Sequence, residues 1–371
     1  MRTVGVEEEL LVVDESGKPR AVAVAALSGI ETPDEGAQDG HTDDEVTGAV
    51  VGELMLQQLE TGTRPCRTLS ELSDELATWR RRADEAAGVA GCRAVALATS
   101  PVPVVPETTS SPRYRRMAEE FGLTQAEQLV CGCHVHVSVE SDEEGVAVLD
   151  RIRGWLPVLV ALSANSPYWQ GLDTGYASFR SQVWRRWPSA GPTEVFGSAE
   201  TYRGAVHAMV ATGTVLDEGM VYFDARLSRS YPTVEVRVAD VCPDREVTVM
   251  VAALVRGLVS TAAADWRAGT PAPAVSTTMI GLATWRAGRA GLLGDLVDVF
   301  TGRPRPAAEV VGALLGHVRP ALDAMGDTER VEGVVARLLR DGTAADRQRA
   351  VMAETGELSA VVRDLVELTH R

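Results

Sequence analysis

Acidic and histidine side chains recur at two-residue spacing in three short stretches of this chain. These are Glu7 and Glu9, His134 and His136, and Glu235 with Arg237. Successive residues of a strand point to opposite faces, so this spacing places both members of each pair on one face of a sheet. Each pair alone is also compatible with a surface ion pair. Three strands with such a pair favour one shared site, and carboxylates with a histidine predict a hard divalent cation, Mg²⁺ or Mn²⁺.

The residue pattern of the predicted strand over residues 131–139 argues against a zinc centre. Cys131 and Cys133 fall on the face opposite His134 and His136. A mixed Cys/His zinc site needs ligands that converge from both faces, so we interpret the cysteines as buried apolar residues. Glu8 falls on the valine face of its strand, and we expect it at an outer rim.

Two further acids do not fit the alternation. Glu53 and Glu60 are seven residues apart, an odd separation that places them on opposite faces of a regular strand. A bulge or a loop is needed to bring both to one site.

Arginines are concentrated in residues 176–190, beside several aromatic residues. Planar guanidinium groups bind carboxylates and phosphates through two hydrogen bonds, and Arg180 is our candidate for an anionic substrate. For Arg185 and Arg186, structural stacking on Trp184 and Trp187 stays open as the alternative.

Composition excludes several classes of function. The formal net charge is −16, which repels nucleic-acid phosphates and anionic membranes, so we expect neither partner. Lys18, in an evident turn, is the single lysine. A Walker A loop or Schiff-base chemistry requires a lysine that this chain does not offer. Five scattered cysteines, no signal peptide and no apolar stretch long enough for a membrane predict a cytoplasmic protein without disulfides.

The pattern along the chain predicts an α+β fold with a mostly antiparallel sheet. We expect one catalytic domain over residues 1–371, with strands concentrated in residues 1–241 and four or five helices in residues 246–371. A hairpin is predicted within residues 1–27. The acidic segment 30–47 reads as a solvated loop, with an active-site lid as the alternative.

Four motifs together carry a resemblance to a known family. They are GVEEEL from Gly5, CGCHVH from Cys131, YASFR from Tyr176 and PTVEVRVADVC from Pro232. The chain resembles the YbdK-type carboxylate–amine ligases, the type 2 glutamate–cysteine ligases of the glutamine synthetase-like superfamily. The resemblance extends from about residue 4 to the last helices. It implies a curved, mostly antiparallel sheet that forms an active-site funnel, with helices packed outside.

The resemblance also implies a reaction. ATP activates glutamate as γ-glutamyl phosphate, and the amine of cysteine or another small amino acid displaces phosphate to give a γ-glutamyl dipeptide. Two or three Mg²⁺ or Mn²⁺ ions accompany the ATP. The implied ligands of one ion are Glu9, Glu53 and Glu60, and those of another are Glu7, His134 and Glu235. Arg237 is implied to meet the transferred phosphoryl group beside Glu235, and Arg180, His136 and Tyr176 to bind substrate.

Some of these expectations have alternatives. Residues 98–101 and the acidic segment 30–47 depart from the family pattern, so the acceptor amine stays open. A metal-dependent amidohydrolase that works without ATP is the alternative enzyme, followed by a phosphagen-kinase-like transfer and a non-catalytic binding protein. Relatives suggest a homodimer.

Overall fold

The computed structural model describes residues 1–28 and 47–371. Its strands are β1 (Val4–Val13), β2 (Ala49–Gly52), β3 (Gln58–Gly62), β4 (Arg93–Val95), β5 (Gly132–Ser138), β6 (Tyr168–Trp169), β7 (Leu172–Asp173), β8 (Ala225–Leu227), β9 (Thr233–Asp240), β10 (Asp295–Asp298) and β11 (Arg303–Pro306). Its helices are α1 (Ala23–Leu27), α2 (Leu69–Val89), α3 (Pro112–Phe121), α4 (Leu123–Ala126), α5 (Asp142–Ile152), α6 (Leu156–Leu162), α7 (Arg180–Trp184), α8 (Ala199–Ala211), α9 (Arg245–Arg267), α10 (Thr277–Ala290), α11 (Ala307–Met325), α12 (Thr328–Asp341), α13 (Ala344–Thr355) and α14 (Leu358–Thr369).

Seven strands form one open sheet in the order β2-β3-β1-β5-β9-β8, and β4 pairs with the far end of β1. Every pairing in this sheet is antiparallel. The predicted α+β class with a mostly antiparallel sheet is therefore confirmed. The three strands that carry the paired acids and histidines, β1, β5 and β9, are direct neighbours at its centre.

The valine positions of these strands face the main core. Val135, Val137, Val234 and Val236 are at most 1% exposed and pack against α5, α6 and α9. β-branched residues that alternate with polar ones are typical of a strand with one buried face. The helices therefore cover one face of the central strands, and the polar side chains of those strands lie on the other.

Helix α2 begins with a capping box. The Thr68 hydroxyl accepts a hydrogen bond from the backbone N–H of Glu71, and the Glu71 side chain accepts one from the backbone N–H of Thr68. This reciprocal capping box fixes the helix start just after β3. Leu72 and Leu76 then join the main core.

Two local predictions are wrong. The second half of the predicted hairpin is helix α1, because its alanines pack as a short helix against α2. Six helices, not four or five, occupy residues 245–371, all of which the structure describes. Helix α9 is long and apolar enough to cross a membrane by length and composition, although 83% of its most apolar window is buried inside the molecule. Such burial is that of a core helix.

Of the acidic segment 30–47, residues 30–46 lie outside the described residues. Thr47 is described, and its hydroxyl donates a hydrogen bond to the Tyr231 hydroxyl at 2.9 Å.

Candidate functional site

Strand register brings the predicted acids and histidines together. Glu7 lies directly opposite His134 across the β1–β5 pair, and His136 lies opposite Glu235 across the β5–β9 pair. Directly opposite residues of antiparallel strands share a face, so these four side chains lie on the face away from the valines. A register shift in β5 between Cys133 and Val135 leaves His134 without a direct partner in β9.

Glu7 is at the centre of two overlapping groups. Its Oε1 lies 3.4 Å from His136 Nε2, and its Oε2 lies 3.5 Å from His134 Nδ1. Glu7, His136 and Glu235 offer ligand atoms within 4.8 Å of one another, and so do Glu7, Glu60 and His134. The resemblance groups His134 with Glu7 and Glu235; in the structure His136 holds that place, and His134 joins Glu7 and Glu60.

The other implied metal ligands lie around the same cluster. Glu9 is opposite Glu60 in the β1–β3 pair, its Oε1 is 3.8 Å from His134 Nε2, and its other oxygen accepts the backbone N–H of Gly132. Glu53 is half-buried in the loop between β2 and β3, which is the kind of connection that its odd separation from Glu60 requires. Among the described residues, Glu9, Glu53 and Glu60 do not form a group as tight as the two around Glu7.

Unsatisfied buried atoms indicate what this cluster binds. Glu7 Oε2, His134 Nε2 and His136 Nε2 are inaccessible to solvent and have no hydrogen-bond partner within the described residues. Buried polar atoms are almost always paired, so three such atoms in one cluster indicate a ligand-binding site. Oxygen and imidazole donors in this number fit a divalent cation of the Mg²⁺ or Mn²⁺ kind.

The protonation states of Glu7 and His134 also suit a cation. Burial raises the pKa of Glu7, but His136 and His134 outweigh burial and bring that pKa to about 2. Burial, aided by the Arg237 charge, lowers the pKa of His134. Glu7 is therefore ionised and His134 neutral at pH 7, and both have lone pairs available for a metal.

Glu235 lies between two guanidinium groups. Arg226 Nε donates to one of its oxygens at 2.6 Å, and Arg237 Nη1 donates to the other. Burial raises the pKa of Glu235, but the two arginines hold it well below its usual range. Sequence reasoning missed Arg226. Its signal was weak, since it is a single arginine in the three-residue strand β8, but it lies opposite Glu235 in register.

Arg180 reaches the same face from helix α7. A Cβ added at Gly132 would lie 2.8 Å from its Cζ, so the absence of a side chain at Gly132 makes room for the guanidinium. The Arg180 and Arg237 guanidinium carbons each lie 5.6 Å from the ring centroid of Trp184. This aromatic platform holds two cations side by side over the sheet.

The contacts of Tyr176 are with aromatic and arginine side chains, not with the acids and histidines of the cluster. Its ring packs against Phe179 and Trp285, with centroids 5.7 and 6.1 Å apart, and the Arg289 guanidinium lies over it at 5.6 Å. The structure places these contacts at helix α10 rather than at the carboxylate cluster.

A cavity of about 170 Å³ adjoins the cluster at Glu7 and His136. Its wall includes Tyr231, Pro65 and Pro232, and the Tyr231 ring meets the His136 ring edge-on with centroids 6.5 Å apart. A largely apolar cavity next to a polar cluster is typical of a small-molecule site.

Glu8 does not lie at a rim, so that prediction is wrong. Its side chain is fully buried and paired with Arg80 of α2, with Nη2–Oε1 and Nε–Oε2 distances of 2.6 and 2.8 Å. Thr248 of α9 donates a third hydrogen bond to the same carboxylate. The charge on the valine face is thus neutralised inside the core, and no rim position is needed. Cys131 and Cys133 are free and fully buried, as expected.

Solved structures define the fold class. The glutamate–cysteine ligase of Francisella tularensis, in complex with AMP, superposes with a TM-score of 0.70 at 14% identity and covers 100% of this chain and 89% of that one. A bifunctional glutathione synthetase from Pasteurella multocida gives 0.66 at 15% identity, over 100% of this chain and 52% of that one. The fold is therefore that of the glutamate–cysteine ligase of this comparison.

Sequence comparison then gives the family. The model of "Glutamate-cysteine ligase family 2(GCS2)" matches residues 3–364. The "Putative glutamate--cysteine ligase 2" of Streptomyces coelicolor is 54% identical over all of this chain and 99% of its own length. The "Putative glutamate--cysteine ligase 2-1" of Streptomyces avermitilis is 53% identical over the whole of both chains. This chain belongs to glutamate–cysteine ligase family 2 and is a ligase that forms C–N bonds.

Proposed function

We propose that this protein is an ATP- and Mg²⁺-dependent ligase that activates glutamate as γ-glutamyl phosphate and joins it to the amine of cysteine or another small amino acid. The observation that carries the proposal is the pair of acid–histidine groups that share Glu7, with Arg237 and Arg180 on the same face of the sheet. Metal ligands, a phosphoryl-facing arginine and a carboxylate anchor are the parts that phosphoryl transfer to a carboxylate requires.

The residues divide this work by position. Glu7, Glu9, Glu53, Glu60, His134 and Glu235 hold the cations, and the geometry adds His136 to the group of Glu7 and Glu235. Mg²⁺ ions held by these residues would neutralise the phosphates and supply Lewis-acid chemistry to the transferred group. Arg237 faces that group, and Arg180 binds the glutamate carboxylate. The apolar cavity beside His136 accepts the nucleotide base, with Tyr231 in its wall.

The reaction requires that water is excluded from the site and that two anions, the glutamate carboxylate and ATP, are brought together. The carboxylate of glutamate attacks the γ-phosphorus of ATP, and ADP leaves. Arg237, which is fully buried with Glu235, stabilises the charge that develops on the phosphoryl oxygens. Loss of such a preorganised cation typically costs on the order of 10²–10³ in rate. The proposal also includes a single catalytic domain, a cytoplasmic location and a homodimer. Tyr176 remains a proposed substrate contact.

Phosphate release from ATP tests the proposal directly. With Mg²⁺, glutamate and a panel of amino acids, we expect acceptor-dependent phosphate and a product mass equal to glutamate plus acceptor minus water. Glu235→Ala should abolish both, whereas Glu15→Ala, which changes an exposed acid, should not. Amide hydrolysis without ATP, or no acceptor-dependent product with any panel member, would contradict the proposal.

A further inference from the structure

Two buried atoms of opposite character lie beside the start of β8. Asp224 Oδ2 accepts no hydrogen bond and Arg185 Nη2 donates none within residues 1–28 and 47–371. Asp224 is 8% exposed. Both residues border Gly191: the Asp224 N–H donates to the Gly191 carbonyl at 2.9 Å, and a Cβ on Gly191 would lie 4.0 Å from Arg185 Nη2.

This pair adjoins the candidate site on two sides. The backbone N–H of Arg237 donates to the Asp224 carbonyl at 3.0 Å, so Asp224 lies alongside the arginine that faces the phosphoryl group. Arg185 directly follows Trp184, whose ring lies under Arg237 and Arg180. Neither Asp224 nor Arg185 has a role in the reaction as described so far.

The chemistry of the two atoms specifies a ligand. A buried carboxylate oxygen without a donor calls for an N–H group, and a buried guanidinium N–H without an acceptor calls for an anionic oxygen. A free α-amino acid carries both groups on one carbon. Burial raises the pKa of Asp224 to about 6, while the Arg185 charge opposes that rise. A carboxyl group in this range is ionised at pH 7 and can accept a proton from an ammonium group.

We propose that Asp224 and Arg185 form the acceptor subsite, in which Asp224 binds the α-ammonium group of the acceptor amino acid and Arg185 binds its α-carboxylate. This inference rests on the ligase function proposed above and names the residues that would bind the second substrate of the ligase. Asp224 takes one proton from the ammonium, and the freed lone pair attacks the acyl carbon of γ-glutamyl phosphate. The new C–N bond forms, and the bond between the acyl carbon and the bridging oxygen of the acyl phosphate breaks. Phosphate leaves with the electrons of that bond and takes the second amine proton.

Hydroxylamine separates this subsite from glutamate activation. It is a small neutral nucleophile without a carboxylate, so γ-glutamyl hydroxamate reports acyl-phosphate formation alone. We expect Asp224→Asn and Arg185→Met to lower kcat/KM for the amino-acid acceptor at least tenfold, and to retain hydroxamate formation within about threefold of wild type. Arg185→Met should act mainly on the acceptor KM, and Asp224→Asn on both kcat and KM.

Matched variants and a wild-type measurement complete the test. Asp217→Asn and Arg186→Met change neighbouring residues whose partners, Arg113 and Glu127, lie outside this subsite, and they should leave both reactions unchanged. Wild-type enzyme should prefer the amino acid over its carboxamide at least tenfold, and Arg185→Met should remove that preference. Unchanged dipeptide formation in Asp224→Asn would overturn the proposal. Equal use of the acid and its amide by wild type would overturn it even if a variant fails to fold. Wild-type enzyme that makes neither dipeptide nor hydroxamate would instead overturn the ligase function itself.

Discussion

Glu235 is the residue on which the charge balance of the site depends. It is fully buried, and Arg226 and Arg237 each donate to one of its oxygens. A buried carboxylate with two guanidinium partners keeps a fixed orientation, so the arginine that does not face substrate still controls where Glu235 points. If Glu235 binds a cation as proposed, Arg226 is a positioning residue for that ligand.

Replacement of that arginine gives the first prediction. Arg226→Met should lower the rate of ligation by about 10–100-fold and raise the Mg²⁺ concentration needed for half-maximal rate, because loss of an outer partner of a metal ligand typically has that effect. Titration of phosphate release with Mg²⁺ measures both. Arg203→Met, which removes an exposed arginine paired with Asp142, is the control and should change neither. A lower rate with an unaltered Mg²⁺ requirement would contradict a positioning role.

Residue-level prediction from sequence succeeded where alternation applies. Glu7, His134, His136 and Glu235 lie on one face, as the two-residue spacing predicted. Arg226 could not be found in this way, because its partner is on another strand and its own strand has three residues. Glu8 was misplaced because its partner, Arg80, is 72 residues away on a helix, and local spacing contains no information on that contact.

At the scale of elements, strand β5 and helix α7 are fitted to each other at Gly132. The Arg180 guanidinium occupies the space that a side chain at this position would fill. A methyl group there does not threaten the sheet, because glycine inside a strand is generally the weaker choice. The methyl group would instead displace the guanidinium of Arg180, the proposed substrate anchor.

Gly132→Ala should therefore separate binding from stability. We expect the KM for glutamate to rise more than tenfold, with a melting temperature within a few degrees of wild type. Gly204→Ala on α8, where an added Cβ meets nothing within 4 Å, should leave KM unchanged and stabilise the helix by roughly 0.5–1 kcal/mol. An unaltered glutamate KM in Gly132→Ala would show that Arg180 is not the anchor.

The Glu8–Arg80 pair joins three elements, since the carboxylate of β1 binds both α2 and Thr248 of α9. Removal of one partner leaves a buried charge uncompensated, so Glu8→Leu should lower the free energy of unfolding by about 3–5 kcal/mol. The double variant Glu8→Leu/Arg80→Met should lose less, because it leaves no buried charge. Urea unfolding measures both. Arg81→Met, which breaks an exposed pair with Glu85, should cost about 0.5 kcal/mol or less. A double variant less stable than Glu8→Leu would contradict this account.

On the scale of the whole molecule, the sequence predicted the fold class better than it predicted the individual helices. Strands concentrated in the first two-thirds of the chain, with helices after them, predicted a mostly antiparallel sheet, and alternation in β1, β5 and β9 predicted that their polar side chains share one face; the structure has both features. The short helix α1 could not be derived, since a short alanine-rich segment has the same local pattern in a helix or an apolar strand. Long-range packing decides such cases.

Through its net charge and its buried acidic cluster, the stability of the whole protein should depend on the proposed metal binding. The chain has a net charge of −16, and several of its acids are held together in one buried site. Glu9→Gln removes one charge from this cluster, while the new amide oxygen still accepts the Gly132 N–H. Less repulsion should raise the melting temperature without divalent cations. Wild type, by contrast, should gain about 2.7 kcal/mol when Mg²⁺ reaches 100 times its Kd, and Glu9→Gln should lose most of that gain. Differential scanning calorimetry with EDTA and with Mg²⁺ measures both effects.

Glu15→Gln has the same net charge as Glu9→Gln but lies at an exposed turn, so it should behave like wild type. An equal response of the two variants would mean that overall charge, rather than the buried cluster, governs the effect of the cation.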